Sequence, residues 1–305
     1  MRWDDLRTSQ NVEDRRGDGG GGGGGRSGFG LGGGGGRLGI GTIIVLGIIG
    51  WALGINPAVL IGGAEMMTGG GQPAPRYQEA QPRSTTPPDD QVGLFVAKIL
   101  GETEDVWSQV LPQQVNRRYE PPRLVLFSGY TTSQCGPAQA ATGPFYCPLD
   151  RKVYLDTSFF KEMQQRFGGG GEFAYAYVIA HEIGHHIENL LGILDDVRAQ
   201  QVRSGDRAEA NNLSVRVELM ADCLAGVWAN KMNLRHSNIT EKDVRDAVNA
   251  ASAIGDDRIQ RQTQGRVVPD SFTHGSSEQR VRWLTVGLKG GDVRQCNTFQ
   301  RTVRL

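Results

Sequence analysis

EFAYAYVIAHEIGHHIENLLG, residues 172–192, is the stretch whose reading decides the fold. Residues 173–180 are apolar throughout, which predicts a helix buried in a core rather than one lying on a surface. His181, Glu182 and His185 follow on the same helix. Residues four apart stand one turn above another, so the two imidazoles point the same way. A pair of neutral imidazoles suits zinc and leaves room for a third ligand and a water. Glu182 is then placed beside that water as a general base. Two histidines and a glutamate on a buried helix would be costly without a metal or other partners. His186 sits about 100° further round and reads as a bystander.

The third ligand has to come from elsewhere. A Gly at 188 and a His at 191 would indicate one large class of zinc proteases, but these positions are Glu188 and Leu191. A glutamate on a later helix is the other common solution. Residues 217–226, VELMADCLAG, carry Glu218 and Asp222 four apart on one face. Glu218 is the candidate metal ligand, and Asp222 the candidate hydrogen-bond partner that would orient a ligand histidine, His181 by preference. The competing reading is an ordinary acidic face paired with Arg216 or Lys231. Glu209, Asp195 and Asp196 lie in polar surroundings and are weaker candidates.

Composition separates this helical half from the amino-terminal part of the 305-residue chain. Residues 1–37 are polar, with glycine runs at 19–25 and 32–36, and read as a disordered tail. Residues 38–63, LGIGTIIVLGIIGWALGINPAVLIGG, carry no charge, and 38–61 is about long enough for one transmembrane helix. Residues 62–88 form a Pro- and Gly-rich linker, and one catalytic domain is expected over 89–305. Arg2, Arg7, Arg15, Arg16, Arg26 and Arg37 precede the span, which predicts a cytoplasmic amino terminus and an extracytoplasmic domain, periplasmic or at the cell surface. Net charge is zero, with 33 basic and 33 acidic residues, so nothing suggests a nucleic-acid partner.

Within the domain, helices are expected at 92–110, ending before Pro112, and at 172–191, 195–203, 207–232, 240–254 and 276–289. Thr240 with Asp243, and Ser276 with Gln279, look like capping boxes. Strands are expected at 123–129, 143–148 and 152–156, with a turn at 149–151. The fold class is therefore α+β, a small antiparallel-type sheet followed by a mostly helical half. Cys135, Cys147, Cys223 and Cys296 form an even set without a CxxC pair. Two disulfides fit them better than a metal site, with Cys135–Cys147 and Cys223–Cys296 preferred among the three pairings.

GPFYCP, KVYLD, AHEIGHHIENLLG, VELMADCLAGVWA and SFTHGSSEQRVRW, with the Gly-rich tail and the span, resemble the bacterial family of putative neutral zinc metallopeptidases. The resemblance implies a gluzincin-type zincin fold, zinc held by His181, His185 and Glu218, and Glu182 as catalytic base. Residues 273–280, THGSSEQR, also resemble a late motif of membrane-associated peptidases, with Gly275 where those have Pro. By that analogy His274 or Arg280 would donate a hydrogen bond to the reacting oxyanion; otherwise His274 opens a capped helix and Arg280 pairs with Glu278 or Asp292. The resemblance further implies that an extended peptide adds to a sheet edge formed by KVYLD or FYCP. Tyr130, Phe145 and Tyr146 are candidate subsite residues.

Two functions compete. One is a membrane-anchored zinc peptidase acting on a peptide or protein substrate. The other is a catalytically silent zinc-binding scaffold or adaptor of the envelope. Retention of Glu182 favours the peptidase, because a scaffold has no chemical need for a base beside the metal. Substrate, cleavage preference and oligomeric state are not written in the chain.

Overall fold

The computed structural model describes residues 1–17, 88, 90–139, 143–160, 163, 171–237, 239–300 and 305. The expected span at 38–61 and nearly all of the 62–88 linker lie outside these residues. Among the described residues no helix is long and apolar enough to cross a membrane.

The architecture is α+β. Strand β1 (Val12–Asp14) precedes helix α1 (Gln91–Val115). Then come β2 (Arg123–Phe127), β3 (Tyr130–Ser133), β4 (Gly136–Gln139), β5 (Phe145–Cys147) and β6 (Lys152–Asp156). The second half is helical: α2 (Glu172–Leu190), α3 (Ile193–Ser204), α4 (Arg207–His236), α5 (Glu241–Ala253), α6 (Asp256–Gln264) and α7 (Ser277–Gly290). Both expected capping boxes are formed, at Thr240–Asp243 and Ser276–Gln279. Helix α1 does not stop before Pro112 but carries it inside and ends at Val115. Burial of Val110 and Leu111 holds that last turn in place despite the missing N–H.

The sheet is mixed rather than antiparallel. Its order is β1-β2-β6-β5. The β1–β2 and β2–β6 pairs are parallel, and only β5–β6, joined through the turn at 149–151, is antiparallel. KVYLD is thus an interior strand, which leaves FYC of β5 as the free edge on that side. Alternate side chains face opposite ways. Leu124, Leu126, Tyr146, Val153 and Leu155 join the helical core, while Val125, Phe127, Cys147 and Tyr154 pack under the β3–β4 hairpin. The Cys135–Cys147 disulfide ties that hairpin to β5, and Cys223–Cys296 ties α4 to the carboxy-terminal turn. These are the two preferred pairings.

The expectation of a disordered tail over 1–37 does not hold for residues 1–17. Trp3, Leu6 and Val12 are buried, and β1 extends the sheet alongside β2. Trp3 meets Phe95 edge-on, with ring centroids 5.4 Å apart. The tail's low apolar content hid this, because few side chains, Met1, Trp3, Leu6 and Val12, do the packing while hydrogen bonds to α1 and β2 do the rest.

Candidate metal centre

Helices α2 and α4 cross where Gly184 meets Ala221. A Cβ at position 184 would lie 2.9 Å from the Ala221 carbonyl oxygen, so the glycine of the HEIGH sequence sets the approach of the two helices. That approach brings Glu218 under the two histidines. His181 Nε2 stands 3.2 Å from Glu218 Oε2, and His185 Nε2 stands 3.6 Å from Glu218 Oε1. One ligand atom from each of the three residues lies within 4.8 Å of the others. Bonds of about 2.0–2.2 Å in a tetrahedral zinc site require ligand separations of this order.

The donor set fits a divalent cation in two further ways. Each imidazole has its Nδ1–H directed to a carboxylate, which leaves Nε2 as the free lone pair. His181 donates to Asp222 Oδ1 at 2.9 Å, and His185 donates to Glu188 Oε2 at 2.8 Å. Glu182, Glu188, Glu218 and Asp222 are all buried here, and among the described residues Arg280 is the one buried permanent cation that faces them. A bound cation of charge two would balance that excess. Burial raises the Glu182 carboxyl above its ordinary range and lifts Glu188 to about 7. Asp222 goes the other way: burial opposes its ionisation, but Arg280 and His181 outweigh burial and hold it low.

Arg280 is buried. Its side chain is 2 % exposed, and it forks onto Asp222 with Nε to Oδ2 at 2.8 Å and Nη2 to Oδ1 at 3.0 Å. Tyr177 donates to the same carboxylate at 2.5 Å. The guanidinium is thus engaged by Asp222 behind His181, and not by Glu278 or Asp292, the partners expected for it otherwise. His274 is placed differently. Its side chain is 23 % exposed, and Nδ1 is held 3.1 Å from Asp256 Oδ1. Asp256 Oδ2 in turn accepts the backbone N–H groups of Thr273, His274 and Gly275. The contacts to Thr273 and Asp256 are both made by Nδ1, and among the described residues Nε2 has no hydrogen bond.

Glu188, Tyr177 and Asp256 were not singled out from sequence. Glu188 lies three residues after His185 and Tyr177 four before His181, spacings that a helical wheel exposes; Asp256 lies on another helix and gives no such signal. His186 is off the metal side, as expected, yet it is no idle bystander. Tyr146 donates to its Nδ1 at 3.0 Å, and its Nε2–H donates to the Glu120 carbonyl at 2.7 Å. Asn189 donates to the Tyr146 oxygen at 2.9 Å. This clamp fixes edge strand β5 above α2 and takes Tyr146 away from any subsite. Phe145 stacks on Tyr154 at 5.0 Å, and only Tyr130, 60 % exposed, stands clear of the core.

The clamp needs a neutral His186, and burial pushes its pKa down to about 4. The unfolded value is about 6.5, so the unfolded chain takes up a proton first as pH falls. Stability from this group is complete above pH ~6.5, declines with falling pH and is exhausted below ~4. Between pH 7 and 5 the loss should be about 2 kcal/mol in urea unfolding, and His186→Asn should remove that component of the slope. An identical slope in the variant would show that His186 titrates normally.

The family model described as "Putative neutral zinc metallopeptidase" matches residues 1–299. The chain belongs to this family. The relatives are alike along their length. The protein YpfJ of Escherichia coli K12, which is uncharacterized, is 46 % identical over 303 residues, covering 99 % of this chain and all of the relative. The uncharacterized Rv2575 of Mycobacterium tuberculosis H37Rv is 44 % identical over 236 residues, 74 % of this chain and 77 % of that protein. No solved structure matches the chain. The family match includes residues 1–17, the segment that packs on α1 and β2.

Proposed function

We propose that the chain is a zinc-dependent peptidase that cleaves extended peptide segments close to a membrane surface, on its oxidising, extracytoplasmic side. The observation that carries this reading is the convergence of His181, His185 and Glu218 on one point, with the buried carboxyl of Glu182 on the same helix turn. Zinc bound there would acidify a water and polarise the scissile carbonyl. Glu182, its proton affinity already raised by burial, takes the proton of the attacking water and delivers it to the departing amine nitrogen. His274, held by Asp256, presents Nε2 to the oxygen that gains charge. Substrate backbone adds along the free edge of β5, which the ladder to β6, the Cys135–Cys147 bridge and the Tyr146 clamp hold rigid. The two disulfides support an oxidising compartment.

Metal analysis is the first test. The purified chain should hold about one zinc and cleave members of a diverse peptide library, and Glu218→Ala should lose nearly all of both. No zinc in the wild type would sink the reading. Zinc without cleavage would favour the scaffold instead.

A further inference from the structure

The amino-terminal segment and the domain form one body, and this bears on how the chain can sit at a membrane. Residues 1–17 are joined to residues 90–160 by several independent contacts. β1 pairs with β2 in the register Val12↔Leu124. Ser9 N–H donates to the Ala97 carbonyl at 3.0 Å. The carboxylate of Glu104, 8 % exposed, accepts from Arg7 at 2.7 Å, Ser9 at 2.5 Å and Asn11 at 2.8 Å. Lys152 reaches Glu13 at 2.9 Å.

Helix α1 is itself shaped for this segment. Gly101 lies in its interior, where glycine costs about 1 kcal/mol relative to alanine. A Cβ there would lie 2.3 Å from the Arg7 carbonyl oxygen, and the three nearest atoms all belong to residues 7–9. The glycine is explained by the segment lying across it.

The chain also leaves and re-enters the body at one place. Arg16, at the end of the described segment, pairs with Asp90, the cap of α1, at 2.5 Å. The ends of the intervening sequence therefore lie side by side, and that sequence contains the apolar stretch 38–61. A single crossing would put those ends on opposite sides of a bilayer. A return crossing needs a second apolar stretch. The remainder of 18–89 is rich in Gly, Pro and polar residues, and no described helix is suitable.

We propose that residues 1–17 stay docked on the domain in the working protein, on the same side of the membrane as the metal centre. The apolar stretch 38–61 then does not separate the tail from the domain across a bilayer. Three of the six arginines on which the cytoplasmic tail was expected have another role. Arg7 pairs with Glu104 and Asp105, Arg15 with Glu13, and Arg16 with Asp14 and Asp90. Their charge serves the fold. This inference goes beyond the peptidase reading and stands whether or not the site is catalytic.

The four native cysteines are bonded in pairs, so a single added cysteine reports on sidedness. Asp5→Cys marks the segment and Arg203→Cys the domain, both at exposed positions. Full-length variants in spheroplasts are treated with a membrane-impermeant maleimide before and after permeabilisation. Both positions should behave alike. Labelling of one before permeabilisation and of the other only after it would overturn the proposal. As a second measurement, the purified chain is nicked with trypsin, for which Arg26, Arg37, Arg76 and Arg83 lie between the segment and α1 in sequence. The amino-terminal fragment should remain bound to the domain in the wild type and be released by Gly101→Leu. Release from the wild type, or equal retention by Gly101→Leu, would overturn the docking.

Discussion

Glu182→Gln should abolish peptide hydrolysis while leaving the zinc content and the melting temperature near those of the wild type. The substitution keeps size and shape at a position 7 % exposed and removes only the group able to accept a proton. General-base catalysis is worth roughly 100- to 10,000-fold, so the residual rate should fall by that factor. Stability should not drop, because burial already disfavours the charged form of Glu182 and a neutral amide removes that strain. The same shift sets the acid limb of the rate profile. With the carboxyl raised, the base form is present at neutral pH and is lost as pH falls through a pKa above the ordinary carboxylate value. The measurement is single-turnover cleavage of a library-selected peptide by zinc-loaded wild type and variant. Equal rates would mean that the base is another group or that the cleavage comes from a contaminant.

How far the sequence disclosed this centre follows from where each contact is encoded. His181, Glu182 and His185 sit within one helical turn, so the sequence spacing is already the spatial spacing. Glu218 and Asp222 were found by the same rule applied to a second helix, since one turn separates them on one face. The capping boxes at Thr240 and Ser276 are equally local. What joins distant parts was not legible. Nothing in residues 11–15 says that they lie parallel to β2, because three residues carry no usable periodicity and the partner is over a hundred positions away. The parallel pairing of β2 with β6 was missed because neither strand's sequence names its partner or the direction of pairing, whereas the adjacent β5–β6 hairpin announced itself by its turn. Arg280 was expected either to donate to an oxyanion, by resemblance to a linear motif, or to pair with Glu278 or Asp292. Its true partner, Asp222, was already assigned to His181, and a spacing argument does not show that one carboxylate serves three donors.

That sharing makes Asp222→Asn a far larger perturbation than an oriented histidine alone would suggest. Asp222 is fully buried and takes Arg280 through two hydrogen bonds, together with His181 Nδ1–H and the Tyr177 hydroxyl. An amide offers one acceptor oxygen in place of two, and it leaves the guanidinium as an uncompensated buried charge. Breaking such a pair costs about 3–5 kcal/mol. The loss of the charged acceptor for His181 should separately weaken zinc affinity by about 10- to 100-fold. The two effects have different remedies. Replacing the cation as well, in Asp222→Asn with Arg280→Met, removes the stranded charge and should restore most of the stability, since a buried ion pair exchanged for apolar packing is often near neutral. It should not restore zinc affinity, because His181 still lacks its carboxylate. Urea unfolding and competitive chelation on the four members of this cycle read the two quantities independently. A single Asp222→Asn variant less than about 1 kcal/mol below wild type would show that Arg280 finds another counter-charge, with Glu218 Oε2 at 3.9 Å the nearest. Recovery of zinc affinity in the double variant would show instead that Asp222 acts on the metal only by holding Arg280, and that the ring of His181 is oriented by its packing on α2.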